Sequence, residues 1–265
     1  MNIPFVKAHG ARNDFLLTWR DQLPSGLTGM AEAAVAMCDR RTGAGADGWN
    51  ILSPSAEAHA AIELWNSDGS RGEISGNGTR CSAALLVESG RAGEEVRMGT
   101  GAGVKLLRLL QRHGHAYTFE MNMGRPVIEE LGAWLVPGHE CVILNVGNPQ
   151  CAVFVSDFDF DWRALGAVLA RHQRFPHRTN VSFVRVVDRH TLDVRFFERG
   201  AGETMSSGTG STGAAAAAAA RGLAENPVRV LTPAGPLDIQ WKGPEIFLAG
   251  PAEIVGHGEF YYDTK

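Results

Sequence analysis

Hydrophobic and polar positions along the chain predict many strands and few helices. Period-two alternation and short apolar runs favour strands from the start of the chain, first at residues 3–8 and 14–19. Further strands are predicted at residues 49–54, 61–66, 94–98, 104–111, 117–123, 139–148, 151–157, 180–188 and 191–198, and in the tail segments VRVLTP, LDIQWK, EIFLAG and EIVGHGEFYY. Helices are predicted at residues 28–41, 78–90 and 161–173 and over the alanine run 214–220. Because strands outnumber helices, the pattern indicates an α+β fold with mixed sheets rather than a doubly wound parallel sheet.

An internal repeat divides the chain into two halves. Residues 75–85, SGNGTRCSAAL, align with residues 207–217, SGTGSTGAAAA. Nine residues before each leading serine, a predicted strand ends at Asn66 in one half and at Glu198 in the other. Two glycine-rich loops can resemble each other by chance, but a shared register favours two similar domains. We predict the first domain at residues 1–116, with residues 253–265 returning to it, and the second at residues 117–252.

Glycine-rich turns that lead into helices are suited to binding anions. Glycine lets backbone amides converge on a ligand, and the N-terminus of a helix adds partial positive charge. The seven alanines Ala214–Ala220 favour a helix strongly and carry no bulky side chains. We expect this apolar helix to be buried, with a sheet closely around it. Each half would then offer one helix N-terminus to a small ligand, such as the carboxylate of an amino acid.

The composition excludes several classes of function. The 265 residues are 44% hydrophobic and 20% charged, with a net charge of −4 and scattered lysines and arginines. This argues against nucleic acid and anionic membrane surfaces as partners. No apolar stretch is long enough to span a membrane, and the N-terminal MNIPFVKAHGARNDF has no signal-peptide pattern. We therefore expect a cytoplasmic protein.

The cysteines and histidines do not form a metal-binding pattern. Cys38, Cys81, Cys141 and Cys151 include no CxxC pair, and no histidine clusters with them. The segment QRHGHAY at 111–117 is typical of a turn between strands. We expect buried, reduced cysteines and no metal site.

Two glycine motifs leave nucleotide binding open as an alternative. GAGADG at 43–48 fits GxGxxG but lies between a predicted helix and a strand, which is the wrong order. GTGSTG at 208–213 follows a strand, but the nearest acidic residue, Glu225, precedes the next strand instead of ending it. A Ser-His-Asp hydrolase has less support, because neither Ser75 nor Ser207 lies in a GxSxG motif.

The chain resembles the diaminopimelate epimerase family over nearly its whole length. Eight motifs follow in the family's order: HGARNDF (9–15), RRTGAGADG (40–48), WNSDGS (65–70), GNGTRC (76–81), VGNPQC (146–151), RTN (178–180), ERGAGET (198–204) and SGTGS (207–211). The resemblance implies two similar domains, each a mixed sheet closed around a central helix, with the active site between them. It also implies interconversion of LL- and meso-diaminopimelate, a step of lysine biosynthesis, by two-base proton transfer without a cofactor, in a homodimer.

The resemblance also implies roles for individual residues. The proton-transfer positions are Ser75 and Ser207, with Gln150 and Glu198 beside them. The backbone amides implied to bind the α-carboxylate belong to Gly76, Asn77, Gly208 and Thr209. The residues implied to hold the other polar groups of the substrate are Asn13, Asn66, Asn148, Asn180, Glu198 and Arg199. Turn formation by Asn66 and Asn148 and ion pairing by Arg199 are the structural alternatives.

Three positions depart from the family's pattern. The family has cysteine where this chain has Ser75 and Ser207, and histidine where it has Gln150. A thiol, with an unperturbed pKa near 8.5, can be tuned by a helix N-terminus to act as base or acid near neutral pH. An alcohol ionises far less readily, and glutamine cannot act as a base. Glu198, on the side of Ser207, is then the remaining acid–base partner.

These departures leave three interpretations open. An engineered pair of Cys→Ser substitutions explains Ser75 and Ser207 but not Gln150. Natural divergence explains all three positions and allows an inactive amino-acid-binding homologue, or an isomerase or dehydratase for another substrate. A slow epimerase that uses Glu198, Ser207 and water is the third interpretation. Our working hypothesis is an epimerase or related isomerase, with amino-acid binding without turnover as the alternative.

Overall fold

The computed structural model describes residues 1–263, which form four α-helices, a short 3-10 helix and 17 strands. The helices are α1 Met30–Cys38, α2 Gly76–Glu88, α3 Trp162–Ala170 and α4 Gly208–Ala220, and the 3-10 helix is Arg20–Gln22. The first eight strands are β1 Asn2–Gly10, β2 Asn13–Trp19, β3 Gly48–Ser53, β4 Ala60–Asn66, β5 Arg71–Gly72, β6 Glu95–Thr100, β7 Gly103–His113 and β8 Ala116–Gly124. The others are β9 Val127–Val136, β10 His139–Asn145, β11 Pro149–Phe154, β12 Asn180–Asp188, β13 Thr191–Glu198, β14 Gly202–Thr204, β15 Val228–Thr232, β16 Gly235–Lys242 and β17 Glu245–Tyr261.

These residues pack as two compact units. Unit 1 comprises Met1–Met121 together with the segment that begins at Gly250, and unit 2 comprises Asn122–Ala249. Strand β17 therefore belongs to unit 2 up to residue 249 and to unit 1 from residue 250. The units are defined by packing alone, and the domain limits given from the sequence stay predictions.

Unit 1 is built on a mixed sheet. Strand β1 lies between β2 and the second part of β17, antiparallel to both. Strands β2 and β3 are parallel, β3 and β4 are antiparallel, and β4 pairs with β5 antiparallel and with β6 in parallel. Antiparallel pairing continues from β6 through β7 to β8. The two parallel pairs require crossovers, which contain helices α1 and α2.

Unit 2 repeats this topology. Strand β10 is antiparallel to β11, β11 is parallel to β12, and β12 is antiparallel to β13. Strand β13 pairs with β14 antiparallel and with β15 in parallel, and β15 is antiparallel to β16. Helices α1 and α3 start and end 132 positions apart, and so do α2 and α4. The repeat found in the sequence thus extends to the helices and to the order of strand pairing.

The alanine helix α4 is central to unit 2. It contacts β9, β10, β11, β12, β13, β15 and β16, and the buried alanines 214–218 belong to one apolar cluster with residues of these strands. Methyl side chains let strands approach the helix axis closely, which a helix of larger residues would prevent. Helix α2 is buried in the same way, in contact with β1, β2, β3 and β6. The predicted α+β fold, with each sheet around a central helix, is confirmed.

The remaining helices cover other faces of the two sheets. Helix α1 packs in a cluster with Trp49 and Ile51 of β3, and α3 packs in a separate cluster with Phe183 of β12. Each unit therefore has one helix inside the curve of its sheet and one outside it. No helix in the part of the chain that the structure describes is long and apolar enough to cross a membrane.

Several strands differ from the sequence pattern. The short strands β5 and β14 were not predicted. Strand β9 was not predicted, because most of its residues are exposed and Gly132 interrupts the alternation. The tail segments EIFLAG and EIVGHGEFYY were predicted as separate strands, but they form the single strand β17. Strand β17 pairs with β16 up to Ala249 and with β1 from Glu253 onward. Pro251 lies between these two paired segments, so the N–H that proline lacks removes no hydrogen bond from either pairing.

Candidate functional site

Each central helix begins at a serine that caps it. Ser75 and Ser207 are the N-cap residues of α2 and α4, both with extended backbone. Ser75 Oγ accepts a hydrogen bond from the N–H of Gly78 at 3.1 Å, and Ser207 Oγ accepts one from the N–H of Gly210 at 3.0 Å. Serine is among the preferred N-cap residues because its oxygen satisfies a helix N–H that has no other partner. The two serines implied as proton-transfer groups therefore also stabilise the starts of the helices.

Two backbone N–H groups at the start of each central helix have no hydrogen-bond acceptor within residues 1–263. The capping serines satisfy the N–H groups of the third and fourth helical residues, through the side chain and the carbonyl. Within residues 1–263, no group accepts a hydrogen bond from the first two, which are Gly76 and Asn77 in α2 and Gly208 and Thr209 in α4. Such N–H groups, together with the helix dipole, favour an anion.

A buried polar side chain at the same strand position anchors each central helix. Asn50 Nδ2 donates to the carbonyl of Gly78 at 3.0 Å, and Ser182 Oγ donates to the carbonyl of Gly210 at 3.4 Å. The two donors, like the two glycines, are 132 positions apart. This pair was not predicted, because asparagine and serine differ in type and only their shared register in the repeat indicates it.

A chain of side-chain hydrogen bonds reaches the start of α2. Arg80 donates to Asn77 Oδ1, Asn77 Nδ2 donates to Asn13 Oδ1 at 3.1 Å, and Asn13 Nδ2 donates to Asp47 Oδ2 at 2.7 Å. Two predicted ligand residues, Asn13 and Asn77, are thus brought together. Arg80 and Asp47 were not predicted, although the single basic residue of α2 was a possible signal.

Two cations hold the carboxylates at the far end of this chain. Arg40 donates to Asp14 at 2.7 Å and to Asp47 at 2.6 Å, and Lys7 Nζ lies 3.2 Å from Asp14. Burial raises the pKa of Asp14, but Arg40 and Lys7 outweigh burial and hold that pKa below its usual value.

The loop GAGADG lies between α1 and β3, the order that disfavours dinucleotide binding.

A second chain of side-chain hydrogen bonds reaches the start of α4. Gln150 Nε2 donates to Asn148 Oδ1 at 2.7 Å, and Asn148 Nδ2 donates to Thr209 Oγ1 at 3.3 Å. Gln150 is 1% exposed and packs against the helix, since a Cβ added at Gly213 would lie 3.2 Å from its Cγ. Three predicted site residues therefore form one cluster in unit 2, with a neutral amide at the position where the resemblance implies a histidine.

Asn180 fixes the segment that follows β13. Its Nδ2 donates to the carbonyl of Pro149 at 3.1 Å, and its Oδ1 accepts from the N–H of Arg199 at 2.9 Å.

Beside the segment that follows β13 is a cavity of about 230 Å³ in unit 2. It is lined by Ala170, Arg171, Arg178, Phe197, Glu198, Arg199, Gly200, Ala201 and Gly202. With three arginines and one carboxylate in its lining, the cavity favours an anionic group.

Asn66 has a structural partner in unit 1. Its Nδ2 donates to Ser70 Oγ at 2.9 Å, and its N–H donates to the carbonyl of Ser70 at 2.8 Å. These bonds close the turn after β4, which is the structural role considered for this asparagine. Its role toward a ligand stays a prediction.

The four cysteines are buried and free. Burial raises the pKa of Cys81 to about 12 and that of Cys38 to about 12. The hydrogen bond with Cys141 and burial raise the pKa of Cys151 well above its usual value. These three thiols therefore cannot supply the thiolate that the serines lack. Among the described residues, no group of three or more His, Cys, Asp and Glu side chains is arranged to hold a metal ion.

Known proteins similar to this chain include curated enzymes and solved structures. The family model for diaminopimelate epimerase matches residues 5–129 and 142–255. A diaminopimelate epimerase from Pelotomaculum thermopropionicum is 37% identical, over 98% of this chain and 99% of the relative. Another, from Archaeoglobus fulgidus, is 38% identical, over 97% of this chain and 96% of the relative.

The solved structures show the fold at lower sequence identity. A hydroxyproline epimerase from Agrobacterium vitis, with bound trans-4-OH-L-proline, matches with a TM-score of 0.74 and 16% identity, over 99% of this chain and 93% of that one. A PhzF-family protein from Bacillus anthracis matches with a TM-score of 0.75 and 15% identity, over 99% of this chain and 100% of that one. The family match and the curated relatives each extend over nearly the whole chain, and so this chain belongs to the diaminopimelate epimerase family.

Proposed function

We propose that the protein is an amino-acid epimerase of the diaminopimelate epimerase type that binds the α-carboxylate of its substrate at the starts of α2 and α4. The observation that carries the proposal is the pair of N–H groups at each helix start that have no acceptor within residues 1–263. A carboxylate at either helix start would accept hydrogen bonds from the two N–H groups there. These donors would also stabilise the negative charge that develops when the α-proton leaves.

In this proposal Ser75 and Ser207 act on opposite faces of the α-carbon. One oxygen accepts the α-proton while the other delivers a proton from the opposite side, which inverts the centre. The hydrogen bond that each Oγ accepts and the adjacent helix N-terminus both favour the ionised oxygen. An alkoxide is still far less accessible than a thiolate, so we expect slower turnover than with cysteines at these positions. Glu198 would take the proton of Ser207.

The substrate is proposed from the family. The two curated relatives described above are named diaminopimelate epimerases. We extend their substrate, and a place in lysine biosynthesis, to this chain. Asn13, Asn66, Asn148, Asn180 and Arg199 would hold the remaining amino and carboxylate groups of diaminopimelate. A homodimer in the cytoplasm, acting without a cofactor, belongs to the same proposal.

Amino-acid binding without turnover is the second candidate. It is favoured by the capping bonds, because each serine oxygen already accepts a hydrogen bond from its own helix. The neutral amide of Gln150, at the position where the resemblance implies a histidine, likewise supplies no base. In this case the helix starts would keep their affinity for the carboxylate, and the α-proton would stay in place.

Proton exchange at the α-carbon distinguishes the two candidates. The purified protein is incubated with LL- or meso-diaminopimelate in D₂O, and loss of the α-hydrogen signal is followed by ¹H NMR. Exchange that is lost in Glu198→Gln supports the epimerase. Absence of exchange in the unmodified protein, with exchange in Ser75→Cys/Ser207→Cys, supports binding without turnover. Absence of exchange in both proteins contradicts the assignment of the substrate.

A further inference from the structure

Arg80 carries a positive charge in the interior of unit 1. Its side chain is fully buried, and no carboxylate among the described residues lies within 4 Å of its guanidinium. Nε donates to the carbonyl of Pro251 at 3.1 Å, while Nη1 has no hydrogen-bond partner within residues 1–263. Burial lowers the pKa of Arg80 to about 10, which still leaves the group charged at neutral pH.

The buried positive charge of Arg80 is unfavourable for the stability of the folded protein. A buried charge is normally paired, and a cation near the start of a helix opposes the helix dipole. The equivalent residue of unit 2, 132 positions later, is Thr212, which is neutral and donates to the carbonyl of Gly208 at 2.8 Å. The central helix of unit 2 therefore forms without a cation at this position, so helix formation does not explain why unit 1 has Arg80 there.

The hydrogen-bond chain from Arg80 has one direction. A guanidinium only donates, so the oxygen of Asn77 must face Arg80 and its Nδ2 must donate onward to Asn13. The chain ends on the carboxylate of Asp47, which only accepts. A cation at one end and an anion at the other thus fix the orientation of both asparagine amides.

We propose that Arg80 is a positioning residue for the ligand carboxylate at the start of α2. It orients Asn77 and Asn13, and its charge increases the positive potential at the two open N–H groups. The anionic ligand then provides the nearby counter-charge that residues 1–263 do not place within 4 Å of Arg80. This inference rests on the proposed function for the identity of the ligand, but the orientation of the two amides can be tested without any ligand.

The first experiment examines the free protein. The side-chain NH₂ signals of Asn13 and Asn77 are assigned by ¹H–¹⁵N NMR, and Arg80→Met, Arg80→Lys and Asp47→Ala are compared with the unmodified protein. We expect Arg80→Met and Asp47→Ala to shift these signals, and Arg80→Lys to preserve them more closely. If Arg80→Met does not fold, Asp47→Ala still breaks the chain at its more exposed end, because alanine has no acceptor for Asn13 Nδ2. Unchanged Asn13 and Asn77 signals in Asp47→Ala would overturn the proposal.

The second experiment measures affinity for meso-diaminopimelate by calorimetry at two salt concentrations. We expect Kd to rise about 10- to 100-fold in Arg80→Met, the range for losing an interaction with a charged group. Arg80→Lys should restore most of the affinity, and Thr212→Val, the matched change in unit 2, should alter Kd less than threefold. Unchanged affinity and salt dependence in a folded Arg80→Met would refute the proposal. If the unmodified protein does not bind this ligand, the proposed function fails, and the amide signals decide the role of Arg80.

Discussion

Replacing Ser207 with alanine should destabilise unit 2, whereas replacing its neighbour Ser206 should not. The Ser207 substitution removes the N-cap hydrogen bond of 3.0 Å and leaves the N–H of Gly210 without its acceptor. Loss of an N-cap side chain costs about 0.5–2 kcal/mol, and the buried site places the expected cost at about 1–2 kcal/mol. Ser206 is 3% exposed, and its Oγ has no hydrogen-bond partner within residues 1–263. Removing a buried, unsatisfied hydroxyl is neutral or stabilising.

Both variants are compared by urea denaturation, with heat denaturation as a second measurement. For Ser207→Ala we expect a lower midpoint with an unchanged slope, and a Tm that falls by about 3–8 °C. Ser206→Ala, which removes the same atom one residue earlier, should remain within about 0.5 kcal/mol of the unmodified protein. Equal destabilisation of the two variants, or a larger effect at Ser206, would refute the assignment of Ser207 as the capping residue.

Three further predictions test the core and the ion pairs. At pH 8 a thiol reagent should label none of the four cysteines in the native protein and all four after unfolding, because every one is buried; rapid labelling of the native protein would contradict this. Ala217→Leu should cost about 1–3 kcal/mol in urea denaturation because Ala217 is fully buried, while Ala220→Leu at the exposed end of α4 should cost much less. Since its ion pairs hold the pKa of Asp14 below its usual value, Asp14 should contribute stability that is lost as the pH falls below about 4. Asp14→Asn should therefore be less stable at pH 7 and depend less on pH between about 2 and 4, and an unchanged acid transition would exclude this role.

The sequence was sufficient to predict the repeat and the presence of both central helices. A glycine-rich turn followed by helix-favouring residues indicates a helix locally, and the same register in both halves reveals the duplication. The helices begin earlier than predicted, at Gly76 and Gly208 instead of residues 78 and 214, because Ser75 and Ser207 cap them before the glycines. The alanine run indicated a buried helix because no charged face was present. These features depend on residues close together in the chain, which is why they could be predicted.

Other parts of the fold depend on contacts between distant residues. Strand β9 was missed because exposed apolar and polar residues on both faces conceal the alternation of a strand. The burial of Arg80 depends on Pro251, which is remote in the sequence. The capping role of Ser75 and Ser207 was not predicted, although serine before a helical segment is a recognised N-cap signal.

The most direct test of the account measures carboxylate binding at a helix start. Proline at the first position of a helix is well tolerated but has no N–H, so Gly208→Pro removes one proposed donor, and Gly208→Ala is the matched control that keeps it. Calorimetric titration with meso-diaminopimelate should give a Kd about tenfold higher or more for the proline variant than for the alanine variant. Equal affinities in the two folded variants, or no binding by the unmodified protein, would contradict the claim that the starts of α2 and α4 bind the substrate carboxylate.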